Sequence, residues 1–444
     1  MPSSADTVEL PSTRSPVRGA FDVIVGGSGS AGVCAALAAA RQGAKTAIVE
    51  WLPNIGGIAA TGLPILGNTY WQKGKLLSRG IPYELLMDLK AEDAYEGDPA
   101  TQSYFCHDVD KYRLLAVRKL EEAGVEILTF TSVTGVLQEQ GRITHLLVQQ
   151  KEGAGAYAAT VVIDCTGDAD IAAYAGESFL PNEIDGHTQP PSLLFFVGGI
   201  DDTRVPGWAV IQKLWDDLRA DEKWINPRGG EAISPPFGFP GKPGVLGFNV
   251  TRSLNVDATR TTELVRMEHE QRCQADEFFY RFLKPHVAGY ENAYYSHAAI
   301  LSGIRESRRV RGDYVMTREP IDNSEEFADA VAWGCYPVDR HSGVGGTTQL
   351  EGAAAQKEQS YYSIPFRVMV PARTPNLLMS GRCVSADELA FSAIRVMGIT
   401  MQMGQAVGIG AAIAARDGLD VKRIPVDEVR DVLRSVDAFV ERSD

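Results

Sequence analysis

Six cysteines are scattered along this 444-residue chain, at Cys34, Cys106, Cys165, Cys273, Cys335 and Cys383, and no two form a CxxC pair. That spacing speaks against both a structural zinc site and a redox-active disulfide. No metal is expected, and the thiols read as buried and free, as in a reducing compartment. Long apolar runs are missing too. The longest, residues 33–40 and 407–415, are rich in alanine and glycine and fall well short of the roughly 20 residues that span a bilayer. Residues 1–19 are rich in serine and proline and lack the apolar core of a signal peptide, so they read as a disordered tail on a cytoplasmic protein. Basic charge is in deficit: a formal net charge of −14 disfavours nucleic acid and anionic membranes as the main partner. There is no internal repeat.

What the chain does carry is glycine in a particular order. Asp22-Val-Ile-Val-Gly-Gly-Ser-Gly-Ser-Ala-Gly32 is followed by an alanine-rich run and by Thr46-Ala-Ile-Val-Glu50. This reads as a strand, a glycine turn, a helix and a second strand. Gly27, Gly29 and Gly32 hold the GxGxxG spacing: one makes the tight turn, one lets backbone meet a pyrophosphate, one lets the helix close on the strand. Glu50 ends the second apolar run, where a carboxylate accepts hydrogen bonds from an adenosine ribose. A lone GxGxxG is weak; strand, helix and terminal acid together point to an adenine dinucleotide.

The length suggests two or three lobes. A second small-residue cluster, Gly56-Gly-Ile-Ala-Ala-Thr-Gly62, would admit a cofactor closely, with Thr61 offering a hydroxyl. Helices are expected over residues 79–89 and 108–123, the latter capped by Asp108 or Asp110 and stopped by Gly124. Residues 125–150 read as a small meander. Residues 159–168 form an apolar strand that breaks at Thr166-Gly-Asp168, at the edge where open α/β sheets bind ligands; alternatively Asp168 caps a helix over 169–175. From residue 181 proline, glycine and aromatics open an inserted domain that continues through a charged helix over 261–282. The last third holds an apolar strand ending in Gly381-Arg382 and a helix entered through Met397. The partly positive start of such a helix suits the electron-rich end of a flavin.

Gly27-Ser-Gly-Ser-Ala-Gly32 with Glu50, the Gly56–Gly62 cluster, Ile163-Asp-Cys-Thr-Gly-Asp168, residues 303–314, Asn376-Leu-Leu-Met-Ser-Gly-Arg-Cys-Val-Ser385 and Met403-Gly-Gln-Ala-Val-Gly408 together resemble one family. It is that of the FAD-dependent oxidoreductases related to glutathione reductase and fumarate reductase, and the likeness spans about residues 20–435. The resemblance implies an α/β fold: a Rossmann-like FAD-binding domain of the glutathione-reductase type with an inserted α+β substrate domain. The expected division is a tail over 1–19, the FAD-binding domain over 20–180 and 336–444, and the insertion over 181–335.

Carried over residue by residue, the likeness gives Gly27, Ser28, Gly29, Ser30, Ala31 and Gly32 the pyrophosphate. Glu50 takes the ribose with Trp51 beside it, and Gly56, Gly57 and Thr61 the inner face of the cofactor. Val133 matches the position whose backbone meets adenine, and Thr166, Gly167 and Asp168 the strand end near the diphosphate. Gly381 and Arg382 stand where many relatives carry Gly-Asp or Gly-Glu, so the usual acidic ribityl contact is not expected, and Arg382 is instead a candidate to bind phosphate or substrate and, with His341 and Arg305, a catalytic candidate. Gly404, Gln405 and Ala406 complete the set. No His or Cys stands where covalent attachment would require one, so FAD is expected to bind noncovalently.

Only one dinucleotide fingerprint is present and no disulfide relay, which argues against electrons arriving from NAD(P)H in the glutathione-reductase manner. The expected reaction is oxidation of a small organic substrate by hydride transfer to flavin, with oxygen or another acceptor taking the electrons. His341 is the first candidate for general base or acid, because an imidazole titrates near neutrality. Arg305 and Arg309, one helical turn apart, are candidates to clamp a carboxylate or hydroxylated substrate. Two alternatives stay open. One is a fumarate-reductase-like flavoprotein reducing an activated C=C bond, with Arg305, Arg309, Arg340, Arg382 and Arg395 as its cationic cluster. The other is a non-redox dinucleotide-binding or RNA-modifying protein, against which the acidic balance counts.

Overall fold

The computed structural model describes residues 14–63, 71–72, 75–97, 106–184, 186–221, 224, 233–240, 242–344, 348–351 and 361–442. Strand β1 (Val17–Gly26), helix α1 (Ser30–Arg41) and strand β2 (Thr46–Val49) form the unit expected around the glycine turn. β1 and β2 pair in parallel, with Val23 opposite Thr46 and Gly26 opposite Val49. β3 (Glu126–Leu128) extends this sheet in parallel on β2. β4 (Ser132–Glu139), β5 (Arg142–Gln150) and β6 (Gly153–Asp164) follow as an antiparallel meander, and β6 also runs parallel to β1. The strand order is β3-β2-β1-β6-β5-β4, and Leu377–Met379 joins as a seventh strand, parallel to β6. Val23, Ile24, Val25, Val161, Val162 and Ile163 are completely buried, as continuous apolar runs must be in parallel strands covered on both faces.

Two expectations need correction here. Val17, Arg18 and Gly19, read as part of a disordered tail, belong to β1; residues 1–13 lie outside the described residues. The first run of the expected meander, β3, belongs to the parallel part of the sheet, because a run of three residues is too short to signal which partner it takes.

β6 is long enough to serve two neighbours on one side. Its first half pairs with β5 and its last three residues with Leu377–Met379. Buried Asn376 sits at this fork: its amide nitrogen donates to the carbonyls of Ile143 and Thr160 at 2.8 and 2.9 Å, and its oxygen accepts from the Ile143 N–H at 2.9 Å. The side chain satisfies backbone groups that the diverging strands leave unpaired.

Helix α2 (Ile81–Ala91) starts two residues later than expected, with a proline in its first turn. Helix α3 (Val109–Glu122) is capped by Asp108, whose carboxylate accepts from the N–H groups of Asp110 and Lys111 at 2.9 and 3.2 Å. A separate antiparallel sheet follows: β7 (Phe195–Gly198), β8 (Phe237–Gly238), β9 (Val245–Phe248) and β10 (Tyr294–Ala298), in the order β8-β9-β7-β10. Helix α4 (Thr261–Glu277) runs on into a π-helical turn, Phe278–Leu283, that buries Phe278 and Phe282 against Trp215. The charged part of the expected helix is therefore its surface part and the aromatic end its anchor.

Of residues 303–335, expected in the insertion, several from Val310 onward pack on the cores of the large sheet and of α1. Val310 joins the core beneath the large sheet, and Met316, Ile321 and Val331 join the core around α1. Residues 303–313 form no helix; they are held by bridges from Gly303 to Ser192, Val310 to Phe179 and Gly312 to Pro371. The expected helical pairing of Arg305 with Arg309 is thereby overturned.

Helix α5 (Met397–Asp417) lies against α1. A Cβ on Gly404 would sit 2.2 Å from the Ala31 carbonyl oxygen, and one on Gly408 2.2 Å from that of Ala35. Glycine on one helix and alanine on the other thus bring the two backbones into contact. No single helix among the described residues is long and apolar enough to cross a membrane; the bent pair Glu388–Ile394 and Met397–Asp417 matches a broken span by length and composition only and is largely buried within the protein. None of the six cysteines is in a disulfide; Cys34, Cys165 and Cys383 are buried and the others half-buried. Among the described residues no cluster of His, Cys, Asp or Glu could hold a metal.

Candidate active site

A cavity of about 1130 Å³ is walled at one end by the carboxyl ends of β1, β2 and β6 and at the other by the strand Val338–His341 and the start of α5. It exceeds the ~300–1,000 Å³ usual for small-ligand sites. The β1–α1 turn forms one wall with Gly27, Ser28, Gly29, Ser30 and Ala31. Gly27 has φ +90°, and a Cβ there would lie 2.4 Å from the Cys165 carbonyl oxygen. Gly29 differs: a Cβ there meets no protein atom within 4 Å and would project into open space. Gly32 lies outside the cavity wall, and its Cβ would sit 2.0 Å from the Gly27 carbonyl oxygen, so it serves helix–strand closure.

Glu50 is only 5% exposed, yet it lines the cavity. One carboxylate oxygen accepts from the Ser28 N–H at 2.9 Å and the Ser28 hydroxyl at 2.7 Å, and the other from the Leu52 N–H at 3.0 Å. The acid at the end of β2 thus fixes the glycine turn as well as facing the cavity. Trp51, 61% exposed, and Val133 on β4 stand at the same end, with Gly57 and Thr61 further in. Gly56 lies behind the wall, where its N–H donates to the Ser28 carbonyl at 2.9 Å.

Thr166, Gly167 and Asp168 continue the wall, facing Gly381 and Arg382. Asp168 does not cap the following helix, Asp170–Tyr174, which begins at Ala169 without a side-chain cap. One Asp168 oxygen accepts instead from the Ser307 hydroxyl at 2.6 Å and from the Arg382 guanidinium at 3.0 Å. Asp164, buried beneath, takes the local structural task and accepts from the Ala172 N–H at 2.9 Å and the Thr166 hydroxyl at 2.7 Å. Burial, with Asp168 and Asp164 adding repulsion, pushes the Asp170 carboxyl up to about 6.

At the far end four separate stretches converge. Asp339 is the hub: it accepts from the Tyr336 hydroxyl at 3.0 Å, and faces His341 Nε2 at 3.3 Å and Arg395 Nη2 at 3.4 Å. Arg252 donates to His341 Nδ1 at 3.1 Å. A guanidinium has donors only, so Nδ1 is the acceptor and the proton sits on Nε2, toward Asp339. Burial, then the field of Arg305, lowers His341 to about 3. Burial raises Asp339, but His341 and Arg395 outweigh it and hold the carboxyl well below the usual range. Tyr336 is pushed up, first by burial and then by Asp339. His341 is therefore neutral with both ring nitrogens engaged, and this geometry does not suit the general base expected from its residue type.

Of the other expected residues, Arg305 and Arg382 line the cavity; Gly404, Gln405 and Ala406 do not. Those three lie in the second turn of α5 and beyond, with Gly404 against α1 and Gln405 accepting from the Ile81 N–H at 2.8 Å. The part of α5 that reaches the cavity is its start, Met397 and Thr400, preceded by Arg395 and Val396. Arg309 is buried against Glu306 at 2.9 Å and Arg340 against Glu388 at 3.5 Å, so neither joins a cluster in the wall. Sequence reasoning passed over Asp339. Its signal was strand alternation: Asp339 and His341 stand two apart and share a face.

A glycine turn at a helix start, an acid at the end of the next strand and a cavity running past both define a dinucleotide-dependent enzyme of the open α/β class. The chain belongs to the FAD dependent oxidoreductase family, whose sequence pattern matches residues 22–433. Among solved structures it is similar to a geranylgeranyl bacteriochlorophyll reductase-like protein from Thermoplasma acidophilum, at 14% identity over 94% of this chain and 83% of that one, TM-score 0.48. It is also similar to the L-amino acid deaminase from Proteus myxofaciens, at 11% identity over 96% of each chain, TM-score 0.45. A third is the L-proline dehydrogenase from P. horikoshii, at 13% identity over 96% of this chain and all of that one, TM-score 0.40. No curated protein matches.

FAD is the cofactor of this family, and the residues present fit it. The open space over Gly29 leaves room for a diphosphate at the start of α1, and Glu50 stands at the strand end beside it.

Proposed function

We propose that the chain holds FAD noncovalently in this cavity and oxidises a small organic substrate, passing the electrons on to oxygen or another acceptor. The observation that carries this reading is the continuity of one cavity from the glycine turn to the Asp339 cluster. Gly27 to Ala31 would hold the diphosphate at the start of α1, Glu50 the adenosine ribose, and Val133 with Trp51 the adenine. Arg382, held by Asp168, supplies a fixed positive charge beside the turn. Bound FAD supplies the two-electron acceptor for a hydride.

The protein's own part at the far end is position and charge. Asp339, ionised and convergent with Tyr336, His341 and Arg395, is the acceptor toward which a substrate hydroxyl or amine would orient. His341 fixes that carboxylate by donating from Nε2, while Arg252 fixes the ring. Six cysteines outside any disulfide accord with a reducing, cytoplasmic setting.

An anaerobic screen of alcohols, sugars, amines and enoates tests the proposal. Purified protein should be yellow, carry about one FAD per chain by the single fingerprint, release it on acid denaturation, and bleach with an organic donor. Folded protein that takes up no FAD would overturn the reading. Reoxidation of reduced enzyme by an enoate, with no donor bleaching it, would reverse the direction of electron flow.

A further inference from the structure

The far end of the cavity holds two arginines that are anchored from adjacent positions on one segment. Arg305 Nη1 donates to the Pro190 carbonyl at 2.5 Å and the Ser192 hydroxyl at 2.8 Å. Arg395 Nη2 donates to the Gln189 side-chain oxygen at 3.3 Å and the Asp339 carbonyl at 3.1 Å. Both line the cavity. Each guanidinium is thus set in place before any ligand arrives, which removes most of the ordering cost of an ion-pair contact.

We infer that the substrate is a monocarboxylic acid with an apolar body, its carboxylate held by Arg305 with Arg395 beside it. This rests on the reading that FAD occupies the glycine-turn end and leaves the Arg305 end to the substrate. Three observations select this chemistry. Guanidinium forks match carboxylate geometry and carry their charge throughout the physiological pH range. Asp339 stands against Arg395, so the wall offers a limited positive charge that suits a single negative charge and disfavours a doubly charged phosphate ester. Leu194, Leu264 and Leu301 line the same cavity and give an apolar body somewhere to lie.

His341 sharpens the claim. An imidazole that gained a proton to meet an anion would make binding tighten on acidification. His341 is already bonded at both nitrogens and is held neutral to about 3. His341 therefore adds no charge to meet the anion, and with Asp170 on the same wall titrating at about 6, affinity should be level between about pH 7 and about pH 8.

The test is calorimetric titration of the FAD-loaded enzyme with benzoate, benzamide and phenyl phosphate as probes. Benzoate should bind at least about tenfold more tightly than either of the others, the scale of one charge-assisted hydrogen bond. Arg305→Met should remove that preference while FAD content and benzamide affinity stay as they are, and Arg305→Lys should restore part of it. Equal affinity for benzoate and benzamide, or binding of neither, overturns the inference, as does phenyl phosphate binding best or benzoate binding tightening from about pH 8 to about pH 7. Because the unsubstituted enzyme decides the ligand preference, a variant that misfolds leaves the test intact. Calorimetry needs no flavin signal, so loss of the benzoate preference in protein that still takes up FAD and bleaches with neutral donors strikes this inference alone. Failure to take up FAD strikes the functional reading, and the same titration then decides the inference on the chain as purified.

Discussion

The two ends of the cavity are built from different materials. At the β1–α1 turn the wall is backbone: glycines at 27 and 29, the start of a helix, and one carboxylate whose hydrogen bonds go mostly to main-chain N–H groups. At the Asp339 end the wall is side chain: Arg305, the stretch from Tyr336 to His341, and Arg395 reach in from three parts of the chain, with Tyr336, His341 and Arg395 meeting at Asp339 and Arg305 held by Pro190 and Ser192. A backbone wall is broken by added volume and is indifferent to pH. A side-chain wall is broken by lost charge or a lost partner, and its strength depends on which groups hold protons. On the function proposed above, the first would hold the cofactor and the second the substrate.

The largest effect that separates the two comes from adding volume. Gly29→Val would place its side chain in open cavity space rather than against protein. The variant should fold, melt where the parent apoprotein melts, and come out colourless, with flavin content measured from its absorbance. Normal flavin content would remove Gly29 from the cofactor wall. Gly404→Val is the contrasting case. Its Cβ falls 2.2 Å from the Ala31 carbonyl oxygen, so it should force α1 and α5 apart at a cost of about 1–3 kcal/mol or more. A lowered melting temperature, with full flavin in the folded fraction, would confirm Gly404 as a packing residue.

Both glycines stood in motifs, and only one reaches the cavity. Sequence spacing found the β1–α1 turn because its chemistry is local: the residues that make the cradle lie within thirty or so positions of one another and each type has one use there. In α5 the same residue type has two uses, close approach to a ligand and close approach to a helix, and composition does not separate them. The far end was legible only as single residues. His341 and Arg305 were found by type, but the Arg252–His341–Asp339 arrangement depends on a contact 89 positions apart. That contact changes what the histidine does, and nothing in the local sequence announces it.

A smaller effect is expected at Glu50. Its two oxygens accept three hydrogen bonds, all from N–H or O–H groups of Ser28 and Leu52. Glu50→Gln supplies one acceptor oxygen and one NH₂ group, so a donor faces a donor whichever way the amide turns. FAD affinity should fall on the order of tenfold, measured by equilibrium titration of apoprotein. An unchanged dissociation constant would show that the turn holds its shape without the acid.

The smallest effect, and the most discriminating, is at His341. A general base removed from a reductive half-reaction should cost on the order of 10²–10⁴-fold; a neutral ring that only braces Asp339 should cost less than about tenfold when replaced by Gln, whose amide can still donate to that carboxylate. Single-turnover flavin reduction reads the difference, since product release does not enter. Stability against pH gives a second readout of the same point. The folded state holds His341 at about 3, below the ordinary histidine value of about 6.5, so between those limits the unfolded chain binds a proton that the folded chain refuses. Stability from this group is therefore complete above about pH 6.5 and is lost as the pH falls toward about 3. Asp170 runs the other way, since its raised value of about 6 lets the folded state gain as pH falls below it. It is common to parent and variant, so it cancels in their difference. The melting temperature of His341→Gln should consequently decline less between pH 6.5 and 4.5 than that of the parent, as a residue that cannot titrate contributes no such loss. Parallel melting curves would mean that the folded ring takes up a proton as readily as the unfolded one, and with it the base role would regain its footing.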